Sequence, residues 1–254
     1  MTVGSSQLVF YASSGMPVYG DLASAGGPIN SGVRVFFNSL VDSNVRLSAF
    51  SSAAADSGEV RVSGLGTGGN LISENFIYSG TGHFYSTNNF SGVLSAMVSR
   101  SGNTAGTVTL SGEAKNLIAE VPPTETGIIR PFFLAQPTGQ TIYEKLFIKN
   151  RNSNTSLLDA TFVPTPNTGF SSAITYGLEN CKTDGVGCGQ TIPTRLTAPT
   201  GVDFFGSGNS GVWPNGTGNL GPLEAQPFWL KLSTTSGVQK NSFFGISMSG
   251  MTTA

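Results

Sequence analysis

Apolar and polar residues alternate with a period of two from one end of the chain to the other. In VRLSAF, Val45, Leu47 and Ala49 are separated by polar residues. In EVRVSGL, Val60 and Val62 are flanked by charged ones. Successive side chains of a β-strand point to opposite faces of the sheet, so this pattern predicts half-buried strands. No segment shows the sustained apolar spacing of an amphipathic helix, and the sequence therefore predicts an all-β fold with almost no helix.

The composition also favours many short strands joined by turns. Gly contributes 34 of the 254 residues and charged residues only 11% of them, whereas average proteins contain about 7% Gly and about 25% charged residues. Ser, Thr and Asn fill the polar positions, and like Gly they are weak helix formers that suit turns. Aromatic residues make up 10%, which argues against disorder because disordered chains contain few of them.

A change of composition at residues 120–131, EVPPTETGIIRP, indicates a domain boundary. Two adjacent prolines cannot donate ladder hydrogen bonds and disfavour a central strand. We therefore predict two antiparallel β-sandwich domains, Ig-like or jelly-roll-like, over residues 1–122 and 132–254, with residues 123–131 as a linker. Residues 176–222 are rich in Gly, Asn, Thr and Pro and predict long polar loops, where contacts with partners usually lie.

Residues 143–166, YEKLFIKNRNSNTSLLDATFVPTP, predict an antiparallel strand pair joined by the polar loop RNSNTS. In the first strand, Leu146 and Ile148 face one way. Lys145 and Phe147 face the other. We expect the inward residues to form half of a sandwich core and the charged residues to keep the outer face exposed to water. PFWLKLS and FFGISMSG, near the end of the chain, predict a second pair of the same kind.

Charge and hydropathy exclude two classes of partner. The formal net charge is −1, from 13 basic and 14 acidic residues, and no run of Lys or Arg occurs. Because tight nucleic-acid binding requires clustered cations, we expect no nucleic-acid partner. No stretch approaches 18 apolar residues, so we expect no membrane-spanning helix and no membrane partner. The start, MTVGSSQLVF, lacks the features of a secretory signal, which predicts synthesis in a host cytoplasm without export.

The two cysteines, Cys181 and Cys188, lie in CKTDGVGC with six residues between them. A disulfide is sterically possible but persists only in oxidising compartments. A zinc site needs about four ligands, and the single histidine, His83, lies far away in sequence. Two free thiols are favoured, and a disulfide or, less so, a metal site stays open.

Three other features are candidates for cofactor-binding, catalytic or metal-binding sites. GSGNSG at residues 206–211 matches G-x-G-x-x-G but precedes VWPNGTGN, which cannot begin the required helix. A Ser-His-Asp triad could use only His83, whose alternating surroundings favour a surface or strand histidine. Asp184 could supply one carboxylate to a calcium site that wants six to eight oxygens, and an Asp-Gly turn is favoured instead. We predict no catalytic, cofactor-binding or metal-binding residues, no cofactor and no enzymatic activity.

Two further sets of residues concern sugars. Trp213 and Trp229 could form a stacking platform, although Trp229 is more simply explained by packing within a strand. The glycosylation sequons at Asn89, Asn154 and Asn215 matter only if the chain is exported.

Several runs resemble the structural proteins of tailed bacteriophage particles. The runs are IRPFF with YEKLFIKNRNSNTSLLDATFV, LGPLEAQPFWLKLSTTSG with FFGISMSG, SLVDSNVRLSAF, and GTVTLSG. Those proteins carry a strand ending in F-x-K-N, a polar loop and L-x-x-A-x-V, and later L-x-x-G-x-x-x-x-W-L-(K/R). The matching residues are Phe147, Lys149, Asn150, Leu157 or Leu158, Ala160, Trp229, Leu230 and Lys231. The chain departs from the pattern at Ala225 and Gln226, where a glycine is commoner.

The resemblance implies a non-enzymatic virion protein, foremost a capsid decoration or cement protein that stabilises a phage head through subunit contacts. It also implies a homotrimer whose partners are copies of itself and the major capsid protein or other virion proteins. A tail, collar or baseplate subunit is the alternative, and a carbohydrate-binding module or adhesin is the alternative from another class. Low charge and many small polar residues permit close subunit packing without burying unpaired charge.

Overall fold

The computed structural model of the chain describes residue 3 and residues 5–16, 23–37, 44–102, 105–113, 117–129, 139–166, 174–181, 188–205, 218–233 and 244–252. These residues contain seventeen strands, one 3-10 turn at Ser5–Gln7 and no α-helix. The strands are β1 Leu8–Ser13, β2 Ala25–Gly26, β3 Ile29–Phe36, β4 Val45–Ser51, β5 Ser57–Leu65, β6 Leu71–Ser79, β7 Phe84–Phe90, β8 Gly92–Arg100, β9 Val108–Gly112, β10 Leu117–Val121, β11 Thr126–Ile129, β12 Thr141–Asn150, β13 Leu157–Pro166, β14 Ile174–Leu178, β15 Thr191–Ile192, β16 Ala225–Ser233 and β17 Phe244–Thr252. The prediction of an all-β fold is confirmed.

The chain divides into two compact units. One unit combines Met1–Ser31 with Ala135–Ala254 and is called the discontinuous unit here. The other, the central unit, consists of Gly32–Leu134. The sequence predicted that the first 31 residues belong to an N-terminal domain of residues 1–122. In the structure they join the C-terminal half because β1 pairs with β12.

The central unit contains two sheets in a sandwich-like arrangement. One sheet has the strand order β3-β11-β8-β5-β6, and the other has the order β10-β9-β4-β7. The alternation predicted for β4 and β5 is confirmed, because Leu47, Ala49, Val60 and Val62 are all buried. β11, which lies within the expected linker, is a sheet strand that pairs in parallel with β3 and antiparallel with β8.

The discontinuous unit contains the antiparallel strands β14-β16-β12-β1, the two-stranded ladder β13-β17 and the short pair β15-β2. β12 therefore lies between β1 and β16, with Lys145 opposite Trp229. The expected pairing of the two strands within residues 143–166 is wrong, because β13 pairs with β17. The expected pairing of PFWLKLS with FFGISMSG is also wrong, because PFWLKLS in β16 pairs with β12 and FFGISMSG in β17 pairs with β13.

Two asparagines explain the change of partner between β12 and β13. Asn150 and Asn152 are both buried at the start of the polar loop. Asn150 donates through Nδ2 to the carbonyl oxygens of Thr155 and Leu220 at 2.8 and 3.2 Å. The Asn152 side chain accepts from the backbone N–H groups of Asn154 and Thr155. Because the loop is fastened to itself and to Leu220, it directs the chain into the second ladder and does not form a hairpin.

No described helix is long and apolar enough to cross a membrane.

Candidate functional site

The structure places the sequence-derived candidates in different settings. Trp229 is fully buried and cannot offer a ring face to a sugar. His83 is exposed and immediately precedes β7. Asn89 and Asn154 are exposed. Asp184, Trp213, Asn215 and residues 206–211 lie outside the described residues.

The charged pair at the start of β12 lies inside the discontinuous unit. Glu144 and Lys145 are both fully buried, so the expectation that the charges of this strand keep one face wet is wrong. β1 and β16 flank β12 in the sheet, and loop residues 188–195 supply partners for its charged side chains. A central strand covered on both faces can retain charges only if they are paired.

Lys145 is the centre of one buried polar cluster. Its Nζ lies 2.7 Å from Glu179 Oε1 and donates to the carbonyl oxygens of Cys188 and Gln190. Trp229 Nε1 donates to the same Glu179 oxygen at 2.6 Å. Burial lowers the pKa of Lys145, and the hydrogen bond and charge of Glu179 counteract that shift. We call these residues the Lys145 cluster.

A second buried ion pair involves Glu144, the residue before Lys145 in β12. Arg195 Nη2 and Glu144 Oε2 are 2.8 Å apart, and both side chains are fully buried. The backbone of Arg195 is also held, because its N–H donates to the carbonyl of Ala23 and its carbonyl accepts from the N–H of Tyr143. The loop that carries Arg195 is therefore part of the core of this unit.

The two cysteines form a disulfide, so the favoured hypothesis of two free thiols is wrong. Their Cα atoms are 5.8 Å apart, within the range that a disulfide spans. Glu179, Cys181 and Cys188 lie close enough to suggest a metal site. The disulfide removes both thiolates, and Glu179 is engaged by Lys145 and Trp229, so this set does not suit a metal ion.

The central unit has its own buried charge, Asp56. Its carboxylate accepts from Ser51 Oγ at 2.7 Å and from the backbone N–H groups of Ala105 and Gly106, and lies 3.5 Å from Arg100 Nη1. Burial favours a higher pKa, but the hydrogen bonds and Arg100 outweigh it, so the pKa of Asp56 lies below its usual value. The cluster ties together chain segments about fifty residues apart.

The outer face of β4 and β7 carries a row of rings that we call the aromatic face. Phe50 and His83 have ring centroids 4.3 Å apart, and His83 stacks on Tyr85 at 6.2 Å with 21° between the planes. Arg46 lies over the Tyr85 ring at 4.9 Å and forms two hydrogen bonds with Glu113, at 2.6 and 3.2 Å. These side chains share a face because residues 46, 48 and 50 alternate along β4 with the core residues 47 and 49, and Ser48 lies opposite Tyr85.

His83, the single histidine of the sequence, forms a hydrogen bond that resembles part of a hydrolase triad. His83 Nδ1 and Ser48 Oγ are 2.8 Å apart. Ser48 is buried, and among the described residues no carboxylate hydrogen bonds to His83. The pair therefore lacks the accessible nucleophile and the orienting acid of a triad. It fixes the imidazole in the row of rings.

Sequence reasoning missed Glu179, Arg195 and Asp56 because nothing local distinguishes a buried acid or base from an exposed one. It also missed the aromatic face. The alternation in VRLSAF placed Phe50 opposite the buried residues, which was the one available signal.

No protein-family model and no curated protein matches the chain. Among solved structures, the infectious bursal disease virus Gx strain aligns with 99% of this chain and 67% of its own, at 10% identity and a TM-score of 0.17. A variant of Bacillus subtilis oxalate decarboxylase aligns with 91% and 78%, at 9% identity and 0.14. A chaperone–tip adhesion subunit complex of Acinetobacter baumannii Csu pili aligns with 94% and 99%, at 10% identity and 0.14. Similarities at this level support no conclusion about fold or function.

Proposed function

We propose that the protein is a non-enzymatic structural component of a virion whose copies associate with one another. In the finer form of the proposal it is a capsid decoration or cement protein that acts as a homotrimer on a phage head. The resemblance of its strand and loop segments to phage structural proteins supports the virion setting. The observation that carries the proposal is the outer face of β6.

β6 is the last strand of its sheet and exposes apolar side chains. Ile77 is 69% exposed and Leu71 is 41% exposed, while Phe76 and Tyr78 of the same strand are buried in the core. Soluble proteins usually protect such strands with outward charges. The one charged residue of β6 is Glu74.

Glu74 is already engaged within the unit. Its carboxylate accepts from the backbone N–H groups of Thr87 and Asn88 on β7. It therefore protects part of β7 but places no free charge beside Ile77. Glu59 of β5 lies opposite Ile77 in the ladder and forms an ion pair with Arg61 at 3.1 Å, so its charge is compensated. An edge strand that exposes apolar residues beside a compensated ion pair suits packing against a second copy of the chain.

The interior charges also favour a structural role. Lys145, Glu179 and Asp56 are buried, and their ion pairs and hydrogen bonds link strands to loops. A general acid or base must reach a substrate proton, which a fully buried and fully engaged side chain cannot do.

Size-exclusion chromatography with light scattering tests the self-association. We expect the purified chain to be a trimer and Ile77→Lys to be a monomer, because a lysine there would bury an unpaired charge in the apolar contact between copies. Ser153→Lys, at an exposed loop position, is the matched control and should remain trimeric. A wild-type chain that stays monomeric at every concentration would contradict the proposal.

Quantitative mass spectrometry of purified particles tests the location. A decoration or cement protein should be present in numbers comparable to the shell protein. A copy number in the single digits would favour a tail, collar or baseplate subunit. Absence from the particles would overturn the virion role.

A further inference from the structure

We propose that the aromatic face of the central unit is a binding site for a neutral carbohydrate. This goes beyond the structural role, because it assigns a ligand to a surface that self-association does not require. The rings of Phe50, His83 and Tyr85 follow one another along the face, at centroid distances of 4.3 and 6.2 Å. Because Arg46 lies over the Tyr85 ring and His83 stacks on it, a pyranose ring would pack against the parts of Tyr85 and His83 that remain exposed.

The face is accessible and rigid at once. Tyr85 is 42% exposed and His83 is exposed, while Phe50 is half-buried. Phe50 and Tyr85 belong to paired strands, and Ser48 holds the imidazole of His83 at 2.8 Å. Side chains fixed before binding lose little conformational entropy when a ligand arrives.

The charge of the face selects among ligands that stack on rings. Arg46 is paired through two hydrogen bonds with Glu113, so its positive charge is already compensated. Glu120, exposed on β10, lies in register with Thr109 of β9, which in turn pairs with Phe50. Nucleotides also stack on aromatic rings, but they require uncompensated cations for their phosphates. The aromatic face offers acids beside its one arginine, which disfavours a phosphate-bearing ligand.

The polar groups at the rim suit hydroxyl groups. The Arg46–Glu113 pair presents guanidinium donors and carboxylate acceptors at one end of the ring row. A carbohydrate combines a face of C–H groups, which packs on rings, with hydroxyl groups that donate and accept hydrogen bonds. An apolar protein surface would leave the Arg46–Glu113 pair without new partners.

The test uses a printed array of neutral, sialylated and sulfated oligosaccharides, probed with the full chain. We expect binding to neutral glycans. Tyr85→Ala should weaken it about tenfold or more, because it removes an exposed aromatic ring from the row. Tyr85→Phe keeps the ring and should stay within a few-fold of wild type.

Phe84→Ala is the matched control. Phe84 is 39% exposed, next to Tyr85 in the chain, but pairs with the buried Ala49 and lies on the other side of the strand. Its removal should leave glycan binding intact. His83 is the only histidine, so its imidazole NMR signals report the site directly and should shift when the best neutral glycan from the array is added.

Three results with the array would overturn the proposal, and one NMR result would do so as well. The array results are no glycan binding by the wild-type chain, binding that Tyr85→Ala leaves unchanged while its thermal unfolding matches wild type, and binding confined to sulfated or sialylated glycans. Unchanged His83 signals in the presence of a bound glycan would place the ligand elsewhere and contradict it equally.

Discussion

Lys145→Met removes the central charge of the Lys145 cluster and keeps most of the side chain's length. In the wild-type chain, Lys145 Nζ donates to Glu179 at 2.7 Å and to the carbonyl oxygens of Cys188 and Gln190. The substitution leaves a buried carboxylate and two buried carbonyl groups with fewer partners. It therefore tests whether the cluster holds the loop of residues 188–205 in place.

The expected cost follows from the partners that remain. Removing one member of a buried ion pair destabilises a protein by about 3–5 kcal/mol. Glu179 keeps the hydrogen bond from Trp229 Nε1 at 2.6 Å, so we expect the lower end, about 3 kcal/mol. Glu179→Gln in the same chain removes the stranded charge while keeping an acceptor for Trp229. The double variant should recover about 1–3 kcal/mol of that loss through coupling.

Urea unfolding followed by tryptophan fluorescence measures this change. Both tryptophans, Trp213 and Trp229, belong to the discontinuous unit, so the signal reports that unit. Lys149→Met is the matched control, because Lys149 lies on the same strand and is only half-buried. It should change stability by about 0.5 kcal/mol or less. If Lys145→Met costs no more than Lys149→Met, the cluster does not stabilise the unit.

Three further predictions concern the Asp56 carboxylate, the disulfide and the backbone at Gly26. The pKa of Asp56 is held below its usual 3.8, so its contribution is complete above that pH and is lost as pH falls toward the lower folded value. Thermal unfolding between pH 5 and pH 2 should therefore show a weaker acid dependence for Asp56→Asn, and an unchanged slope would refute this. Replacing Cys181 and Cys188 together with Ser should cost roughly 2–3 kcal/mol in urea unfolding, as expected for so short a closed loop. Gly26→Ala should lower the thermal midpoint because φ is +99° and the added Cβ would meet the Gln190 carbonyl; a midpoint equal to wild type would contradict that.

The sequence predicted strands well because a period of two is a local property. Leu47, Ala49, Val60 and Val62 are buried where the alternation placed them. Strand partners are not local. Consecutive strands pair roughly two times in three, and the assumption failed at the loop where Asn150 and Asn152 redirect the chain.

The buried charges illustrate a second limit. In YEKLFIKN, Lys145 occupies a position that looks like the wet side of a half-exposed strand. Whether that side is wet depends on a loop more than forty residues later, which brings Cys188 and Gln190 over it. No residue near Lys145 in sequence carries that information. The two compact units differ from the expected domains for the same reason, because the pairing of β1 with β12 joins residues about 140 positions apart.

Burial of charge has a consequence for the surface. Glu144, Lys145, Glu179, Arg195 and Asp56 are all inside, in a chain in which only 11% of residues are charged. The surface is therefore poorer in charge than the composition suggests. On such a surface a partner gives up little hydration of charged groups, so a few exposed apolar or aromatic side chains can dominate recognition.

Two such side chains in the central unit lie on different sheets, Ile77 on β6 and Tyr85 on β7. If self-association and glycan binding use independent surfaces, each variant should affect one property and not the other. Ile77→Lys should abolish self-association and leave glycan binding per chain unchanged, because it alters no residue of the aromatic face. Tyr85→Ala should do the reverse. Loss of glycan binding in Ile77→Lys would show that assembly creates the binding site. Loss of self-association in Tyr85→Ala would show that the aromatic face is part of the contact between copies.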